Sequence, residues 1–333
     1  MTKRDMVKAG IRHMDTGKVP FCIHLAADAK GKYGEILQDQ FLKGELRSAI
    51  NKGILSVDEA LPLAMGNHVF CINDIPWWDW YDLPESYRKD FEAPSSLPRT
   101  KGTGSYERFE EKIKYVKETT GCYILVMVYG SHFEKANACR GIENFLGDLG
   151  GHKEYAQQLL DMIIRKNLVM LENLVYLPEI DGILLGSDWG SQKSLLMSPA
   201  TWREMIAPGE LKEYQLIKEA GKDVWIHSCG NIVQIIPDLI EMGVDVLNPV
   251  QPECMDIYAL KEQFGQRLTF FGGISTQRTL PYGTVDELRK ETRQVITAMS
   301  RGGGYITAPA QEIQADVPIE NILALVEEAS SFS

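Results

Sequence analysis

His227 and Cys229 close an apolar run, Asp223-Val224-Trp225-Ile226, and are followed at once by Gly230. Alternate residues of a strand point to the same face, so this spacing brings an imidazole and a thiol together where the strand ends. Both are zinc ligands, and sulfur selects a soft or borderline cation over a hard one. The competing reading is a buried thiol beside a hydrogen-bonded histidine. Two ligands do not hold a metal, so the metal reading requires a third.

Other polar residues fall directly after apolar runs. Asp188, in Gly186-Ser187-Asp188-Trp189-Gly190, is placed to ligate a cation or orient a substrate; turn formation or capping is its other reading. Asp74 follows an earlier run and offers a second carboxylate, with a loop turn as the alternative. His24, Asn73, Tyr129, Asn248, Gln311 and Glu312 occupy equivalent positions, and together they predict a polar pocket. His24 reads equally as a core histidine, and His132 is expected in a loop. Cys22, Cys71 and Cys122 lie inside apolar runs and read as small buried hydrophobes.

The runs that would position these residues number about eight: Val19–Leu25, His68–Ile72, Cys122–Val128, Asp181–Gly186, Asp223–Ser228, Val244–Asn248, Leu268–Gly272 and Gly304–Thr307. Each is apolar on more than one face, as parallel strands covered on both sides are. Amphipathic stretches lie between them. Lys153–Tyr176 repeats at helical spacing, Ser198-Pro199 reads as a cap and first turn, and Thr284–Arg301 is capped by Thr284 and stopped by Gly302-Gly303-Gly304. This alternation predicts an α/β fold, a (β/α)8 TIM barrel, formed by a single domain over residues 1–333. One long loop insertion follows the second strand, Asp74–Gly104, and carries Trp77, Trp78, Trp80 and Tyr81. It is expected either to close over the pocket or to form the surface of a homodimer.

The 333 residues carry a net charge of −11, which argues against a nucleic-acid footprint. No run approaches the ~18 apolar residues of a membrane span. The six cysteines form no CxxC pair and no disulfide frame, so a cytoplasmic protein is the expectation.

Gly186–Gly190, Ser198-Pro199, His227-Ser228-Cys229-Gly230-Asn231, Asn248-Pro249-Val250-Gln251, Met255-Asp256 and Pro318-Ile319-Glu320-Asn321 together resemble the uroporphyrinogen decarboxylase superfamily. The resemblance is strongest from about residue 180 onward and implies a (β/α)8 barrel. Within the superfamily the chain is most similar to the corrinoid-linked zinc methyltransferases. That likeness implies a zinc-dependent transfer of a methyl group between a small methyl donor or thiol and a corrinoid carried on a separate protein.

Two departures matter. The decarboxylases grip their substrate with arginines after the first strand, whereas this chain has His24-Leu25-Ala26-Ala27-Asp28-Ala29-Lys30 there. The methyltransferases place a late cysteine where Gln311 stands, so the third ligand is sought at Glu312, with Asp188 and Cys254 as alternatives. The resemblance implies catalytic roles for Asp188 and Asp74, and zinc ligation by His227 and Cys229. The alternatives are a metal-free decarboxylase acting on a small acid and a barrel that binds a ligand without turnover.

Overall fold

The structure, a computed structural model, describes residues 1–73, 106–128 and 131–333. Asp74, Trp77, Tyr129 and the aromatic insertion lie outside the described residues. Parallel strands alternate with helices along the chain, as expected of an α/β protein. The chain forms two compact units, each drawing on separate stretches of sequence.

The first unit comprises 1–71, 112–124 and 245–333. Its strands β5 (Val246–Val250), β6 (Thr269–Ile274) and β7 (Tyr305–Pro309) pair in parallel in that order. The β5–β6 register shifts between Leu247 and Val250, where Pro249 has no N–H to give the ladder. Gly272 sits at φ 122° on β6, so close to the Val250 backbone that a Cβ would collide with it. Gly302, Gly303 and Gly304 follow the helix Val285–Met299 with positive φ, and its N-terminus carries the expected Thr284–Glu287 capping box.

The expected first strand, Val19–Leu25, forms only isolated bridges, Phe21 to Thr307 and Leu25 to Ile313. The reason lies in which groups satisfy its backbone. Ile23 donates its N–H to the Asn67 side-chain oxygen at 2.9 Å and accepts from the Asn67 amide at 3.0 Å. Phe21 donates to His68 Nδ1 at 3.3 Å. Side chains thus take the place of a second ladder, and Pro20 contributes no donor. The next strand, β1 (Val69–Ile72), begins directly after these two side chains.

The second unit comprises the described parts of 72–111 and 125–244. Here the part of β2 (Tyr123–Val128) from Leu125 on, β3 (Gly182–Gly186) and β4 (Asp223–His227) run parallel, with Leu185 opposite Ile226 and Gly186 opposite His227. All of β3 is buried, which explains its continuous apolar character. The helix Lys153–Val175 packs on the helix Ala207–Glu219, and Trp189, Trp202 and Trp225 are fully buried. Burial on this scale makes truncation of one such ring cost about 3–5 kcal/mol. Among the described residues, no helix is long and apolar enough to cross a membrane.

Candidate metal centre

The register of β3 against β4 decides the site. With Gly186 opposite His227, the residues that leave both strands emerge side by side. Four hydrogen bonds join the two departing turns: Ser187 N–H to the His227 carbonyl at 2.9 Å, Trp189 N–H to Ser228 Oγ at 3.0 Å, Cys229 N–H to Asp188 Oδ1 at 2.9 Å and Asn231 N–H to the Ser191 carbonyl at 2.8 Å. Gly190 and Gly230 permit this approach. A Cβ on Gly190 would strike the Cys229 carbonyl, and one on Gly230, at φ 80°, would strike Ser191. Beneath the turns, the Trp189 and Trp202 rings meet edge to face at 5.3 Å.

The result is a cluster of Asp188, His227 and Cys229 whose ligand atoms all lie within 4.8 Å of one another. Cys229 Sγ is 3.4 Å from His227 Nε2, and Asp188 Oδ1 is 3.5 Å from the same nitrogen. Tetrahedral zinc, with bonds of about 2.3 Å to sulfur and about 2.0–2.1 Å to nitrogen and oxygen, sets such edges near ~3.6 and ~3.4 Å. The donor set and its spacing therefore fit zinc. The side chain of His227 is 13% exposed and that of Asp188 45%, so the cluster opens to one side.

A second cluster has no counterpart among the expected site residues as a group. In the first unit, Cys22, His24 and Cys71 also place their ligand atoms within 4.8 Å of one another. Cys22 Sγ lies 3.3 Å from His24 Nε2 and 4.0 Å from Cys71 Sγ. The reading of Cys71 as a buried hydrophobe is corrected: it is half-buried, because it sits near the end of β1, and it faces another thiol and an imidazole. A hydrogen bond from Cys22 lowers the Cys71 thiol to about 5 against the opposing effect of burial, with His24 adding its charge. Burial works against charge on His24, but the Cys71 sulfur outweighs it and the net shift is upward. The spacing Cys22-x-His24 repeats that of His227-x-Cys229 and was the available signal.

A third group, His132 with Glu210 and Glu213, is entirely buried in the second unit. His132 begins the helix His132–Arg140 and is not in a loop. Its Nε2 donates to the Ile206 carbonyl at 3.1 Å, and its Nδ1 lies 3.3 Å from Glu210. Burial raises Glu210 to about 7. Ser131 and Ser187 both donate to Glu210, and Asn167 links Glu213 to Lys135, so this is a packed polar network.

The remaining expected site residues are dispersed. Asn73 is exposed just after β1, and Asn248 is half-buried on β5. Gln311 is exposed and its Oε1 accepts the Glu312 N–H at 3.1 Å. Glu312 belongs to the first unit, where its carboxylate acts electrostatically on His24 and Cys71. Cys254 lies with Glu253, Ser275 and Arg278 on the wall of a cavity of about 590 Å³ in that unit.

Comparison with known proteins places these features in context. A methyltransferase from Methanosarcina mazei matches over 100% of this chain and 99% of its own, with a TM-score of 0.71 at 19% identity. That likeness shows the fold, an α/β fold of the (β/α)8 barrel type. A rutinosidase from Aspergillus niger matches at a TM-score of 0.46 and 12% identity, over 95% of this chain and 99% of its own, too distant to bear on the argument. No curated protein matches the sequence. The family model for uroporphyrinogen decarboxylase matches residues 89–332, and the chain therefore belongs to the uroporphyrinogen decarboxylase family.

Proposed function

We propose that the protein is a zinc-dependent methyltransferase that moves a methyl group between a small methyl donor or thiol and a corrinoid on a partner protein. The observation that carries this reading is the Asp188–His227–Cys229 cluster, whose 3.4 and 3.5 Å edges match those of a zinc tetrahedron. The fold shared with the methyltransferase from Methanosarcina mazei supports it. Asp188 takes the place of the late cysteine, whose position Gln311 occupies. Bound zinc would supply Lewis-acid activation of the heteroatom that gives or takes the methyl group.

The chain's own residues prepare the site. Asp188 fixes the Cys229 backbone by accepting its N–H and so sets the direction of the thiol. The buried Trp189 and Trp202 rings form a rigid, dry base that holds the turns in place. The exposed side of Asp188 leaves room for a substrate to approach.

Zinc analysis of the protein purified without a histidine tag, beside His227→Ala and Cys229→Ser, tests the metal. Demethylation of methylcobalamin by a panel of small thiols tests the reaction. The reading expects both substitutions to remove one equivalent of zinc and to abolish transfer. Transfer at the parental rate in both variants would overturn it, as would release of carbon dioxide from small acids with no corrinoid present.

A further inference from the structure

Cys22, His24 and Cys71 have no part in that reaction, yet they form a ligand set with the spacing a metal requires. Cys22 and His24 are alternate residues of the segment beside β7, and Cys71 comes from β1. Two elements thus supply a sulfur–nitrogen pair and one further sulfur. In tetrahedral zinc a sulfur–nitrogen edge is about 3.6 Å and a sulfur–sulfur edge about 3.8 Å. The observed separations are 3.3 and 4.0 Å.

We propose that Cys22, His24 and Cys71 form a second zinc site, with three protein ligands and one exchangeable position. One outer contact to the site is already in place. The Asn67 amide donates toward Cys22 Sγ at 3.6 Å while its other bonds, to Ile23, lock its orientation. Such outer contacts orient ligands and stabilise charge on sulfur. Cys22 is buried, whereas His24 and Cys71 are half-buried, so the fourth position faces the open side. A site closed by four protein ligands is structural, and one with three holds water or a small donor in the fourth. Zinc is favoured over magnesium or calcium because two of the three donors are sulfur. Binding of Zn2+ releases two protons from the Cys22–His24–Cys71 group. The two thiolates then balance the dication.

The proposal does not depend on the methyltransferase reading. The full-length protein, reduced and stripped of metal, is titrated with Zn2+ against a chromogenic chelator. The same experiment is run on Cys71→Ser, His24→Gln and, separately, His227→Ala. The parent is expected to take up two equivalents, and Cys71→Ser and His24→Gln one each. Cobalt loaded into His227→Ala should give a thiolate-to-metal charge-transfer band that Cys71→Ser weakens when combined with it. Both Cys71 and His24 are half-buried, so these variants avoid disturbing the buried Cys22. Unchanged stoichiometry in either variant would overturn the proposal, as would a Cys22–Cys71 disulfide in place of bound zinc. Loss of an equivalent in His227→Ala alone would leave the methyltransferase site standing and remove this one; loss only in Cys71→Ser and His24→Gln would do the reverse.

Discussion

The Asp188 carboxylate accepts the Cys229 N–H at 2.9 Å from a residue whose own backbone lies at φ 33°, in the left-handed region. Outside glycine, that conformation is tolerated best by aspartate and asparagine. The same oxygen is 3.5 Å from His227 Nε2, so one side chain both builds the Cys229 turn and would complete the proposed ligand set. Asp188→Asn separates the two roles. It keeps the acceptor and the backbone tolerance but removes the charge. The urea midpoint should stay near that of the parent, while zinc affinity at this site falls by more than the roughly 10–100-fold that loss of an outer contact alone would cost. Equal zinc affinity in a competition titration would show that Asp188 serves the turn alone.

Gly190 tests the packing of the two turns. A methyl group there would meet the Cys229 carbonyl, and neither strand end can retreat without breaking the hydrogen bonds that join them. Gly190→Ala should cost about 1–3 kcal/mol, the usual range for overpacking, and displace Cys229. Urea unfolding measures the first effect and zinc content the second. A fully stable variant that still bound zinc would mean that the turns are looser than their contacts imply.

What the sequence disclosed depended on how local the determining contact was. His227 and Cys229 are legible because alternate residues of an extended segment share a face; β4 itself ends at His227, and the Asp188 bond to the Cys229 N–H holds the thiol beside the imidazole. Asp188 was legible as a polar residue after an apolar run, but its partnership with Cys229 depends on the β3–β4 register, which no spacing reveals. Cys22 is buried as its apolar surroundings imply, but its meeting with Cys71 is hidden from the sequence for the same reason: it depends on two elements separated by helices. Val19–Leu25 forms isolated bridges instead of a full strand because the bonds that satisfy it come from the Asn67 and His68 side chains, and apolar periodicity carries no trace of these. The helix that His132 opens is hidden from periodicity because it is buried around its polar residues and lacks a clear apolar stripe.

The buried network of the second unit yields a stability prediction. Lys135 Nζ donates to Asn167 Oδ1 at 2.6 Å, and Asn167 Nδ2 donates to Glu213 Oε1 at 2.7 Å. Burial lowers Lys135 to about 7, so its amine is close to losing its charge in the fold. Lys135→Met fills similar space but leaves the Asn167 oxygen without the Lys135 donor and takes away a positive charge that interacts with Glu213. The expected loss is about 2–4 kcal/mol by urea unfolding, between that of an unsatisfied amide and that of a broken buried ion pair. A neutral outcome would mean that the hydrocarbon stem contributes more than the polar chain.

His68 gives the clearest pH dependence. The residue is 3% exposed, and its Nδ1 accepts the Phe21 N–H, a role open only to the neutral imidazole. Burial pushes its pKa down to about 4, and Lys3 adds in the same direction. In the unfolded chain the value returns to about 6.5. As pH falls from about 6.5 the unfolded state therefore takes up the proton first. The stability that His68 contributes is complete above that pH and is lost as pH falls toward about 4, at up to ~1.4 kcal/mol per pH unit. His68→Gln keeps an acceptor for Phe21 but has no proton to gain. Its unfolding free energy, followed from pH 7 to pH 4, should fall less steeply than that of the parent, so the difference between the two curves shifts steadily in favour of the variant toward acid. Every other titrating group is common to both proteins, so the difference between the curves isolates this residue. Parallel curves across that range would show that His68 is protonated as readily in the fold as in the unfolded chain, and that Phe21 finds its acceptor elsewhere.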